Sequence, residues 1–238
     1  MSTSESDTIA ETPSTASEAT AEPQENANRR QPFPQGFLDT ISTGWAERPE
    51  PAPVQRPQAP YAAARREKLS AAFTGRRIVI PAGSLKQRSN DTDYPFRAHS
   101  AFSHLTGWAA DTVPDSVLVF EPSGDGHEVT LYLRERADRT TAEFYADASI
   151  GEFWIGPRPA LGGVAADLGL PTAHLDAFES REGDVVLDED PELTRFVSEL
   201  RLVKDDYEIE QMKLAVEVTA RGFDDIVSNL PRIIETPR

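Results

Sequence analysis

The stretch DDYEIEQMKLAVEVTARGFDDIVSNL, from Asp205 onward, places apolar residues at every third or fourth position: Ile209, Met212, Val216, Ala220, Phe223 and Val227. That period belongs to an amphipathic helix. Asp205 followed by Glu208 is a capping box with Asp in place of Ser or Thr and marks the start; Pro231 marks the expected end. A helix with six such positions needs a surface to lie on, since each large apolar side chain left in water forfeits about 1.5–3 kcal/mol of burial. The residues after Pro231 are too few to build that surface. The expectation is therefore that its partner lies outside these 238 residues and that the chain is part of a larger protein.

The rest of the chain divides into zones. Residues 1–28 carry six acids, no Lys or Arg and no aromatic residue, so they lack the apolar surface to offset the entropy of ordering and read as a disordered acidic tail. Prolines recur from Pro32 to Pro60, which favours an extended tether over a folded element, although Phe33, Phe37, Leu38 and Trp45 are apolar enough to dock on a folded surface. The expected organisation is a tail over 1–60, a folded domain over 61–200, and a linker with the first helix of a further domain over 201–238.

Inside the folded domain, YAAARREKLSAAF from Tyr61 reads as a short amphipathic helix stopped near Gly75, and RRIVIPAG as a strand ending at Pro81. SVLVFEP and EVTLYLRE are apolar or alternating runs joined by SGDGH, whose glycines suit a hairpin turn. Residues 140–169 read as loop and a short helix, GDVVL at 183–187 as a short strand, and PELTRFVSEL at 191–200 as a helix. Strands interleaved with helices predict an α/β fold with a mixed sheet flanked by helices.

Composition excludes several functions. The 40 acidic and 24 basic residues give a net charge of −16, which repels nucleic-acid phosphates and anionic membrane surfaces. Cysteine is absent, so there is no disulfide framework, no thiolate nucleophile and no cysteine zinc site. No run approaches eighteen apolar residues, and MSTSESDTIAETPS has neither the basic start nor the apolar core of a secretory leader; the reading is a soluble, cytoplasmic protein.

The chain contains no HExxH, no GxSxG, no Walker loop and no GxGxxG after a strand. His99, His104, His127 and His174 read as polar loop or half-buried groups, PAGS after the first strand as a plain turn, and Asp188, Asp190, Asp224 and Asp225 as solvated faces. From the residues alone, no catalytic and no metal-binding set is assigned to this chain.

One stretch remains, SNDTDYPFRAHSAFSHLTGW at 89–108. Its physical reading is structural: Pro95 fixes an extended turn, Tyr94, Phe96 and Phe102 supply buried area, and Arg97 is expected to be buried and to pin the loop to the sheet. In the order Tyr94, Pro95, Phe96, Arg97, then Ser100 and Phe102, then Leu105, Thr106, Gly107 and Trp108, it resembles the N-terminal domain of the aminopeptidase P family, the Xaa-Pro aminopeptidases. A second match, ELRLVKDDYEIEQMKLAVEVT, is similar to that family's join between its two domains. The resemblance covers roughly Tyr61 to Leu230.

The resemblance implies the N-terminal domain fold of the creatinase and aminopeptidase P type, and a following catalytic domain with two divalent metals, commonly manganese. It implies a hydrolase that releases the first residue of peptides with proline in second position, and a homo-oligomer at full length. The family's metal ligands, two Asp, one His and two Glu, belong to the second domain, so none carries over here and the isolated chain is expected to be inactive. TAEFY matches a segment whose last aromatic, in some bacterial relatives, reaches a neighbouring subunit's substrate pocket, which makes Tyr145 a candidate substrate-binding residue. Between Leu175 and Pro191 the chain is shorter than the family pattern. Two alternatives stay open: a non-catalytic oligomerisation or interaction module, and a creatinase or prolidase relative of the same architecture.

Overall fold

The computed structural model describes residues 33–48, 54–90 and 92–235. The acidic tail expected over 1–28 lies outside them, as do Pro32, Pro49, Pro51 and Pro53 of the Pro-rich stretch. In chain order the elements are α1 (Gln35–Ile41), α2 (Ala59–Ala72), β1 (Ile78–Pro81), β2 (Gln87–Ser89), β3 (Thr92–Asp93), α3 (Ser100–Thr106), β4 (Val117–Ser123), β5 (Gly126–Leu133), α4 (Ala142–Tyr145), α5 (Glu152–Ile155), α6 (Leu161–Leu168), β6 (Thr172–His174), β7 (Val185–Val186), α7 (Pro191–Leu200) and α8 (Asp206–Glu235).

The central sheet runs in the order β6-β5-β4-β1-β7. β4 pairs antiparallel with both β5 and β1, whereas β7 lies parallel to β1 and β6 parallel to β5. The sheet is mixed, as the interleaved pattern predicts. The β4-β5 turn closes on the pair Ser123 and Gly126, and Gly124 adopts φ +56°, the conformation its missing side chain permits.

Alternation along the strands splits the apolar residues between two faces. Ile78, Ile80, Leu118, Phe120, Leu131 and Leu133 pack on one side with Leu69 and Phe73 from α2 and its end, Phe102 and Leu105 from α3, Leu168 from α6 and Leu193 from α7. The other side is thin: Val79, Val117 and Val119 are covered by Tyr132, Leu175, Phe178 and Val186. Four helices therefore close the main core on one face. At the sheet's end Arg77 bridges Asp184 at 2.6 Å and Glu121 at 2.8 Å, tying β1 to the end of β4 and to the loop before β7.

Several local expectations change. Residues 35–41 form a helix rather than an extended tether, and Phe33, Leu38 and Ile41 pack on Ala137, Phe144 and Tyr145. Trp45 adds an edge contact to Phe144 at 5.2 Å between centroids. The docking option for those apolar residues is therefore realised over 33–48.

Arg97 is exposed rather than buried. In extended chain neighbouring side chains point to opposite sides; Phe96 packs against the core and Ala98 is buried, so Arg97 between them faces water. Tyr94 is 57% exposed and adds little buried area. Asp190 is more than a solvated acid, since its carboxylate accepts from the Leu193 N–H at 2.9 Å as the N-cap of α7 and pairs with Arg76 at 2.8 Å. Finally, α8 does not stop at Pro231 but continues to Glu235. The missing proline N–H frees the Val227 carbonyl, and on a helix exposed at that point water can take its place.

Candidate functional site

The joint between α8 and the rest of the molecule is built from polar groups. The Asp205 carboxylate accepts from the Glu208 N–H at 3.0 Å while Glu208 Oε2 accepts from the Asp205 N–H at 3.1 Å, so the capping box is reciprocal. Arg65 of α2 donates to Asp205 Oδ2 from Nε at 3.0 Å and from Nη2 at 2.5 Å, and Nη2 lies 3.3 Å from Glu208. Its third nitrogen, Nη1, donates to the His104 carbonyl at 2.9 Å. Arg66 donates to the Leu105 carbonyl at 2.8 Å. Two consecutive arginines thus satisfy carbonyls that the end of α3 leaves without helical partners.

Electrostatics follow from this packing. Burial alone would raise the Asp205 carboxyl, but the Glu208 N–H and the Arg65 guanidinium hold it below the usual carboxylate range. The His104 imidazole lies 3.7 Å from Glu208, yet burial first, and then the Arg65 and Arg201 cations, push its pKa down to about 4. It is therefore neutral near pH 7. Tyr207 completes the joint, donating its hydroxyl to Gln58 at 3.1 Å and lying 5.5 Å from the Tyr61 ring.

Beyond this joint α8 has no buried residue. Over thirty residues it extends about 45 Å. Met212, Val216, Phe223 and Val227 are 57%, 68%, 64% and 63% exposed, so the stripe read from the sequence exists and is uncovered. Leu214, Val218, Ile226 and Leu230 add further exposed apolar surface. Sets of exposed apolar residues of this extent mark contact surfaces.

The quoted motif at 94–108 turns out to be α3 with its approach and its cap. Ser100 opens the helix, Phe102 and Leu105 are fully buried, and Gly107 ends it in the left-handed conformation at φ +74°. Thr106 accepts from the Trp108 N–H at 3.0 Å and donates to the Phe102 carbonyl at 2.8 Å, which locks the turn. His99 caps the helix by accepting from the Ala101 N–H. His104 sits at the α8 joint, His127 bridges Ser70 and the Arg76 carbonyl, and His174 accepts from the Asp176 N–H.

Tyr145 lies at the end of α4 and is 7% exposed. Its ring meets Phe33 edge-on at 5.9 Å and Phe37 at 6.4 Å, and its carbonyl accepts from the Trp154 indole at 2.7 Å. Among the described residues no three His, Cys, Asp or Glu side chains stand together as a metal-ion site requires, and no helix is long and apolar enough to cross a membrane.

A mixed sheet with helices closing one face, followed by a long helix whose apolar side is left open, defines a domain that ends in a contact element. The family model for "Aminopeptidase P, N-terminal domain" matches residues 62–186. The chain belongs to the aminopeptidase P family. It is 41% identical over 220 residues to Xaa-Pro aminopeptidase 1 of Streptomyces coelicolor, covering 82% of this chain and 44% of that protein. Xaa-Pro aminopeptidase 2 of the same organism is 43% identical over 218 residues, with 82% and 45% covered. The chain thus spans less than half the length of the curated relatives it matches. A putative aminopeptidase P from Bacillus anthracis superposes with a TM-score of 0.53 at 18% identity, covering 71% of this chain and 46% of that one, and shares the fold.

Proposed function

We propose that this chain is the N-terminal portion of a Xaa-Pro aminopeptidase, a cytoplasmic hydrolase that releases the first residue of peptides with proline in second position. Residues 61–200 form its N-terminal domain, and 201–238 link it to a catalytic domain against which the apolar side of α8 packs. The observation that carries this reading is the row Met212, Val216, Phe223 and Val227, uncovered on a helix whose start is anchored by Arg65 and its capping box.

The two divalent metals, manganese in this reading, belong to the catalytic domain and supply Lewis-acid chemistry there. The enzyme works as a homo-oligomer, with no nucleic-acid or membrane partner. For Tyr145 the proposal carries a condition, because Phe33 and Phe37 must move off its ring before it can meet a peptide bound by a neighbouring subunit.

The test joins residues 1–238 to the C-terminal part of Streptomyces coelicolor Xaa-Pro aminopeptidase 1 and assays a Xaa-Pro peptide with manganese. The joined protein is expected to release the first residue, the 238-residue chain alone none, and the joined Phe223→Gln/Val227→Gln variant far less than its parent. Turnover by the chain alone, or full activity of that double variant, would contradict the assignment.

A further inference from the structure

A cleft of about 1120 Å³ on the α4 to α6 side of the domain is lined by five arginines, Arg48, Arg56, Arg136, Arg139 and Arg158, in a chain whose net charge is −16. The acids on its wall are already engaged. Asp111 and Asp167 both accept from Arg56, and Glu152 accepts from Arg48 at 2.7 Å and from the Arg158 N–H at 2.9 Å. Two of the arginines keep unused donors. Arg158, with a side chain only 5% exposed, gives Nη2 to Glu143 at 2.5 Å, but its buried Nε and Nη1 find no acceptor among the described residues. Arg139 stacks 5.1 Å over the Trp45 ring and donates to the Ala46 carbonyl, yet its buried Nε also lacks an acceptor among the described residues.

A buried donor without a partner is destabilising, and more so when it is charged. A guanidinium is also never relieved by losing its proton. An oxyanion is the acceptor whose geometry a guanidinium matches best. The remaining wall is apolar, with Trp45, Phe144, Pro157 and Pro159 facing the same space. That wall favours an anion attached to an apolar or aromatic body over a fully hydrated inorganic one.

We propose that this cleft binds a small organic carboxylate, its charge held by Arg158 and Arg139 and its apolar body against Trp45 and Phe144. Because the free Arg158 nitrogens are closed off from solvent, the guanidinium turns toward the cleft as the anion enters. The site uses nothing of the α8 face, so it stands or falls independently of the aminopeptidase reading.

The experiment titrates benzoate into the 238-residue chain by calorimetry, while the arginine Nε–H resonances are followed by NMR, with inorganic phosphate as comparator. Saturable benzoate binding that moves the Arg158 and Arg139 signals is expected. It should weaken at least about tenfold in Arg158→Lys and in Arg139→Gln, the loss of one charge-assisted hydrogen bond. Arg139→Gln carries the test if Arg158→Lys fails to fold. No saturable benzoate binding, unchanged affinity in the folded variants, or phosphate binding as tight as benzoate would overturn the proposal.

Discussion

Arg65 and Asp205 are 140 residues apart in sequence, yet Nε and Nη2 of Arg65 both donate to one oxygen of Asp205, at 3.0 and 2.5 Å. The arginine side chain is 9% exposed and the aspartate 30%. Because Asp205 is also the N-cap of α8, this pair sets where the helix starts and in which direction it leaves the domain. A capping residue that any helix would accept is here fixed to the domain core through α2.

Removing either member therefore costs more than a surface ion pair. Arg65→Ala leaves the His104 carbonyl and a partly buried carboxylate short of a donor, and is expected to lower unfolding stability by about 2–3 kcal/mol. Asp205→Ala removes the cap as well and should cost a similar amount. In a double-mutant cycle read by urea denaturation, the two changes should show a coupling of about 1–2 kcal/mol. Additive losses would mean that the domain core holds α8 by some other contact.

Gly107 carries a second link to α8. Its φ of +74° is strained for any residue with a Cβ, and an added Cβ would stand 3.1 Å from Gln58 Cγ and 3.5 Å from Ala62 Cβ. Gln58 donates to the Gly107 carbonyl at 3.0 Å and accepts from the Tyr207 hydroxyl, so crowding it disturbs the α8 joint. Gly107→Ala is expected to cost about 1–2 kcal/mol for the backbone alone, with a further loss from Gln58. Gly75→Ala is the control, since Gly75 has φ +76° and nothing within 4 Å of the added atom. Equal losses at the two positions, measured as urea midpoints, would show that Gln58 yields freely.

What could be read in advance was local. The β4-β5 hairpin announces itself through alternation and paired glycines, and the start of α8 through Asp205 and Glu208. What could not be read depends on where distant elements end. Arg65 and Arg66 sit in an alanine-rich helix and look solvated; they are buried because α3 terminates beside them and offers carbonyls. The same holds for α1, whose few apolar residues find a place only because Phe144 and Tyr145 are presented by α4. Arg97 fails in the opposite direction, since a rule about buried guanidinium groups says nothing of which side of an extended stretch of chain faces water. The uncovered side of α8 was legible because a period of three and four is recorded in the residues whether or not a partner is present.

His104 supplies a pH test of the joint. Its folded pKa of about 4 lies below the ordinary value of 6.5, because burial and the Arg65 and Arg201 cations oppose the imidazolium. Between those two values the unfolded chain binds a proton that the folded chain does not, so stability falls as pH is lowered through that window. Above about pH 6.5 this contribution is complete, and below about pH 4 it is gone. The groups facing the ring are the Arg65, Arg201 and Lys204 cations and the Asp205 and Glu208 carboxylates. Asp205, held below its ordinary range, loses its own contribution only at lower pH and does not compete in this window. Urea unfolding at pH 7 and pH 4.5 should therefore show a loss for the parent that is much smaller in His104→Gln, a neutral side chain that takes no proton there. An equal loss in the two proteins would place the acid sensitivity elsewhere and leave His104 a spectator at the start of α8.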